Sequence, residues 1–124
     1  MMRWWIVLGA VNAFLSVSAG AFGAHALKSR LPQDLQVIFE TGARYHMYHA
    51  LGLVAVGLLG YLRPSPLLNG AGWAMLVGIF LFSGSLYALA LSGVRVLGAI
   101  TPIGGLGFLA GWLLLAVAAW RATS

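Results

Sequence analysis

Gly20-Ala21-Phe22-Gly23-Ala24-His25-Ala26-Leu27-Lys28 is the stretch on which the fold turns. Before it, residues 4–22 form a long apolar run. After it comes Lys28-Ser29-Arg30-Leu31-Pro32-Gln33-Asp34, the one sizeable polar segment. Two readings compete at this junction. In one, Arg3 is the basic region of a secretory signal and Ala24-His25-Ala26 its cleavage site. In the other, the run is a membrane span that stays. The run is longer than the roughly 7–15 apolar residues of a signal core, so the second is expected.

Composition points the same way. Of 124 residues, 61% are hydrophobic and 7% charged. A soluble domain carries roughly a quarter charged residues, so this chain lacks the polar surface to cover a water-soluble core. At about 20 apolar residues per crossing, the length holds roughly four spans and no separate soluble domain. The net charge is +5, but Arg3, Lys28, Arg30, Arg44, Arg63, Arg95 and Arg121 fall near tract ends, where they can snorkel to lipid headgroups. They do not cluster as a nucleic-acid patch would, and that class of partner is excluded. The absence of cysteine excludes disulfides, thiolate metal sites and cysteine nucleophiles.

The expected architecture is an all-α integral membrane four-helix bundle in a single domain, 1–124. Its spans are residues 4–24, 45–62, 70–91 and 98–120, with an amphipathic helix at 33–44 between spans one and two. Leu35, Ile38, Phe39, Gly42, Tyr45, His46 and His49 recur at helical steps, with Asp34, Gln36, Glu40 and Arg44 between them. Pro32 suits the first turn of this helix. The pattern continues without proline to Leu62, about 45 Å of helix against a ~30 Å hydrocarbon core. A wet amino-terminal extension follows, with Gly42 as a place to bend. Glu40 and Arg44 are spaced for an ion pair. Arg63-Pro64-Ser65-Pro66 and Ser92-Gly93-Val94-Arg95 read as turns, and Thr101-Pro102 as the entrance to the last span.

Small residues recur at helical spacing, which lets helices approach closely in lipid. Gly9, Gly20 and Gly23 mark such a face on the first span, beside Ala13 and Ser16. Gly84 does so on the third span, and Gly104, Gly107 and Gly111 on the fourth. Asn12 lies on the same side and needs a partner inside the bundle. Basic residues divide almost evenly between the two membrane faces, so the positive-inside rule selects no orientation.

Five blocks, in order, carry a family resemblance. They are Gly20-Ala21-Phe22-Gly23-Ala24-His25-Ala26-Leu27, Phe39-Glu40-Thr41-Gly42-Ala43-Arg44-Tyr45, Met47-Tyr48-His49-Ala50-Leu51-Gly52, Phe82-Ser83-Gly84-Ser85-Leu86-Tyr87, and Leu97-Gly98-Ala99-Ile100-Thr101-Pro102-Ile103-Gly104-Gly105. Over almost its whole length the chain resembles domain-of-unknown-function family 423, which includes the transmembrane protein 256-like small membrane proteins. The resemblance implies a four-helix, multi-pass protein of the bacterial inner membrane, with no activity, substrate or cofactor attached. Position 46 departs from the family pattern, which tends to glutamine there, so no role for His46 is carried over.

Ionisable groups in or beside spans are candidates for function. Here they are His25, Glu40, Arg44, Tyr45, Tyr48 and His49, facing Ser83, Ser85 and Tyr87 if the helices pack as neighbours. Zinc would need three or four His or carboxylate ligands, and His25, His49 and Glu40 are the only plausible set. The His46/His49 pair has no second acid-rich helix to complete it, so no metal or other cofactor is expected. No nucleophile elbow, phosphate loop or dinucleotide fingerprint occurs, and Asp34 is the single aspartate, so no catalytic residue is assigned and an enzyme is not expected. In the structural reading, His25 bonds a backbone carbonyl, His49 bonds Tyr87, Ser83 or Ser85, and Glu40–Arg44 pins the amphipathic segment. The expected function is that of a non-enzymatic structural or accessory component. Its partners are the lipid bilayer and either further copies of itself or a larger membrane complex. The alternative is a small-molecule, lipid or ion-binding or transport protein using the His25/Tyr45/His49 surface.

Overall fold

A computed structural model describes residues 2–122. They form four helices: α1 (Met2–His25), α2 (Gln33–Leu62), α3 (Pro66–Ser92) and α4 (Thr101–Ala122). A short 3₁₀ helix, Arg95–Ala99, leads into α4, and no strand occurs among the described residues. The fold is the all-α bundle that the apolar tracts imply. The stretches Met2–His25, Pro66–Ser92 and Arg95–Ala122 are each long and apolar enough to cross a bilayer. The polar first third of α2 makes it the least apolar helix, and it lies antiparallel against α1. Outward side chains such as Phe14, Phe80, Leu106 and Leu113 are at least 67% exposed, a surface suited to acyl chains rather than water.

Local chemistry sets the helix ends. The Ser65 hydroxyl accepts the Leu67 N–H at 3.2 Å, and Pro66 takes the first helical position of α3, where a missing N–H costs nothing. At the other end, Gly93 adopts φ 74°, a left-handed conformation that favours glycine, and its N–H returns to Leu89 O at 2.7 Å. Pro32 stands just before α2 rather than inside its first turn, and its carbonyl accepts the N–H groups of Leu35 and Gln36. The Gln36 amide donates to Lys28 O and Leu31 O, fastening the turn between α1 and α2.

Residues 33–44 and 45–62 belong to one continuous helix, which runs through Gly42 uninterrupted. The bare backbone at Gly42 admits α3 instead: a Cβ there would lie 3.2 Å from Leu86 Cβ and Tyr87 Cε1. Helix α3 carries a π turn at Ile79–Ser83, with no counterpart in the apolar pattern.

Lipid tails are as apolar as the helices, so close packing rather than water exclusion holds the bundle together. Along α1/α2, a Cβ at Gly9 would lie 2.7 Å from Ala50 O, and one at Gly57 would lie 2.5 Å from Ile6 Cγ1. Along α3/α4, Gly104 faces the backbone of Leu81 and Phe82, Gly107 faces Ala74 and Gly78, and Gly111 faces Met75 and Ala71. Gly23 packs on the Phe39 ring. Two expected packing positions are not such positions. A Cβ at Gly20 or Gly84 would meet nothing within 4 Å, because each lies on a face of its helix that no neighbouring helix covers. The main core joins all four helices through Trp5, Leu53, Val56, Leu68, Met75 and Phe108.

Candidate functional site

The polar side chains converge on α2, which touches every other helix. His46 is the centre of the arrangement. Its Nδ1 lies 2.9 Å from the Tyr87 hydroxyl on α3, and its Nε2 lies 2.9 Å from Asn12 Oδ1 on α1. The Asn12 amide nitrogen donates to Leu8 O at 2.8 Å, which fixes the orientation of the carboxamide. Oδ1 must therefore accept from His46 Nε2–H, and Nδ1 must accept from Tyr87 O–H. One neutral imidazole thus joins three helices.

His49, three residues on, is rotated about 60° around α2 and faces α4. Trp112 Nε1–H can only donate, and it points at His49 Nε2 from 2.9 Å. The proton of His49 therefore sits on Nδ1, which donates to Tyr45 O at 2.7 Å. The ring stacks on Phe108 with centroids 3.4 Å apart and planes 5° from parallel. The two histidines hold opposite tautomers, and each spends both nitrogens on protein partners. Neither has a lone pair left for a metal or a substrate proton.

The serines add further ties. Ser16 on α1 donates to Ala43 O at 2.7 Å, and Ser83, at the end of the π turn, donates to Gly42 O at 2.8 Å. Two successive α2 carbonyls are thus gripped by two different helices. Ser85 meets Thr101 at 2.6 Å across α3 and α4, and the Trp5 indole donates to Asn69 Oδ1 at 3.0 Å across α1 and α3. Among the described residues, no buried side-chain nitrogen or oxygen lacks a hydrogen-bond partner.

Several expectations change here. His25 is exposed at the end of α1 and makes no side-chain hydrogen bond among the described residues, so the expected bond to a carbonyl is absent. It does not join Tyr45 and His49. Gly23 lies level with Phe39, and His49 is ten residues further along α2, about 15 Å away. His49 does not bond Tyr87, Ser83 or Ser85, because His46 lies on the α3 side of α2 and takes Tyr87. Tyr45 and Tyr48 pack edge to face at 5.5 Å and border an aromatic groove with Phe82, Phe108 and Trp112. Glu40 and Arg44 form the expected pair at 2.9 Å, on an exposed face. No group of three or more metal-ligating side chains occurs among the described residues. Sequence reasoning missed His46 and Trp112 as partners; the one legible hint was Asn12, a buried-side amide that had to find a mate.

Residues 19–105 match the family described as a protein of unknown function, DUF423. The chain is 49% identical over 119 residues to the UPF0382 membrane protein YwdK of Bacillus subtilis, covering 95% of this chain and 97% of that protein. A UPF0382 membrane protein of Staphylococcus epidermidis is 51% identical over 94% of this chain and 95% of its own length. Another, from Staphylococcus haemolyticus, is 47% identical over 97% and 98%. No solved structure matches. A family match across the helical core, with relatives that are membrane proteins of nearly the same length, places this four-helix membrane protein in the DUF423 family.

Proposed function

We propose that this protein is a non-enzymatic structural or accessory component that packs laterally into a membrane assembly, first of all with a second copy of itself. The observation that carries the reading is the full commitment of its polar chemistry. His46, His49, Ser16, Ser83 and Ser85 are buried, and each is engaged by another protein group. Groups that could bind or react instead fasten helices.

The surface for assembly is the outer face of α1. That helix packs mainly on α2, and Val7, Ala10, Val11, Phe14, Val17, Ser18 and Ala21 are exposed at steps of three and four along its far side. Alternating small and large residues at this spacing suit a partner helix in lipid. The chain lacks cysteine, so one introduced thiol is a unique reporter. Val17→Cys is expected to give a disulfide-linked dimer on mild oxidation in native membranes, and Leu113→Cys on α4 is not. A monomer on blue-native gels, with no crosslink from α1, would reject the reading.

A further inference from the structure

At the junction that opens the polar segment, Gly20 stands to one side of the α1/α2 seam, which stays closed at Ser16–Ala43 and at Gly23–Phe39. The two helices also touch at Gly57 and Gly9, but a Cβ at Gly20 would meet nothing within 4 Å. Beside Gly20 is a cavity of about 500 Å³ bounded by Gly20, Gly23, Lys28, Gln36, Phe39 and Glu40. That volume lies within the roughly 300–1,000 Å³ of ligand pockets. Its floor is apolar: Phe39 is buried, with its ring seated against Gly23.

The rim carries two opposite charges. Lys28 is exposed and makes no ion pair among the described residues. Glu40 gives Oε1 to Arg44 and keeps Oε2 available, while Arg44 steadies its side chain. The two Gln36 bonds to Lys28 O and Leu31 O hold the backbone of the turn, so Lys28 projects from a fixed base.

The cavity also lies where the apolar run of α1 ends, at the depth of lipid headgroups rather than acyl tails. An apolar floor, a cation and a carboxylate at that depth match one kind of molecule. We propose that this corner binds the headgroup of a single phosphatidylethanolamine-type phospholipid. Its phosphodiester pairs with Lys28 and its primary ammonium donates to Glu40, while its acyl chains extend into the surrounding bilayer. An anionic glycerol headgroup would satisfy Lys28 but face the Glu40 carboxylate. A choline headgroup has no N–H to donate.

The test is native mass spectrometry of the full chain in mixed micelles containing phosphatidylethanolamine, phosphatidylcholine or phosphatidylglycerol with identical acyl chains. Retention of the ethanolamine lipid is expected to exceed the other two about three- to fivefold, the scale of one exposed ion pair. Glu40→Gln, at an exposed position, should abolish that preference while leaving phosphatidylglycerol retention unreduced. Lys28→Gln should lower retention of all three. Gly20→Val, which has open space for its side chain, should fold normally and exclude all three lipids. Equal retention by the wild type, a preference for phosphatidylglycerol, or an ethanolamine preference that survives Glu40→Gln would overturn the proposal.

Discussion

Tyr87 donates its hydroxyl proton to His46 Nδ1 across 2.9 Å, joining α3 to α2 between residues 41 positions apart in the chain. The imidazole passes the connection on through Nε2 to Asn12 on α1. Interhelical hydrogen bonds in membranes average only about 0.6 kcal/mol and reach about 1.7, because an unfolded helix in lipid also finds partners. A residue that makes two such bonds is therefore worth about 1–3 kcal/mol. His46→Leu, which orphans both partners, should lose that amount in detergent-titrated or steric-trap unfolding. Glutamine offers a donor and an acceptor of its own. His46→Gln should keep more than half of the stability that His46→Leu loses. Equal losses in the two variants would mean that the bonds contribute little.

A second prediction concerns the proton positions. Fixed donors dictate them: Trp112 N–H forces His49 Nε2 to accept, and the Asn12 carboxamide forces His46 Nε2 to donate. Long-range nitrogen–proton NMR of histidine-labelled protein should report Nδ1–H for His49 and Nε2–H for His46 in the same sample. Trp112→Phe should leave the His46 signals in place and scramble those of His49. A common tautomer for both rings would contradict the arrangement.

The sequence and the structure agree where one element decides the outcome alone. Apolar length, the Pro-Ser-Pro turn, the Ser-Gly turn and the Glu40–Arg44 spacing are local, and each is present. The site was less legible because it depends on rotation between helices. His46 and His49 differ by about 60° around α2, and only the placement of α3 and α4 decides which ring meets which partner. The π turn at Ile79–Ser83 compounds this. One extra residue in a turn rotates everything beyond it by about 100°, so a uniform helical reading of 70–91 misassigns the faces of Ser83, Ser85 and Tyr87. His25 failed for another reason. Facing the same end of the bundle as the start of α2 is not the same as being near His49, which lies ten residues beyond Phe39 along α2.

At the wet end of the bundle, Arg95 donates to Asp34 Oδ2 at 2.6 Å, tying the turn before α4 to the first turn of α2. The Arg95 hydrogen bond lowers the Asp34 pKa from its usual 3.8. A carboxyl lowered on folding stabilises the fold above the unfolded value, and that contribution is lost as pH falls through the folded value. The tie should therefore be intact at neutral pH and disappear as pH drops below about 3.8. Both groups are exposed, so the effect should be small and shrink with added salt. Thermal melts across that range should show an acid-dependent fall that Asp34→Asn removes. An identical fall in Asp34→Asn would assign the acid sensitivity elsewhere.

The glycines provide the sharpest contrast, because positions alike in sequence sit in opposite surroundings. A Cβ at Gly57 would lie 2.5 Å from Ile6 Cγ1 and 2.9 Å from Ile6 N, and one at Gly104 would strike the Phe82 backbone. Backbone cannot swing aside as a flexible side chain can, so α1 or α4 must move away. Overpacking of this kind costs about 1–3 kcal/mol. At Gly20 and Gly84 the same methyl group meets nothing within 4 Å. There, Gly→Ala removes backbone freedom from the unfolded chain and should be neutral or stabilising by up to about 1 kcal/mol. Unfolding measurements on the four single alanine variants should therefore split into two pairs. If Gly20→Ala proved as damaging as Gly57→Ala, the space beside Gly20 would be filled, and the cavity there would not exist.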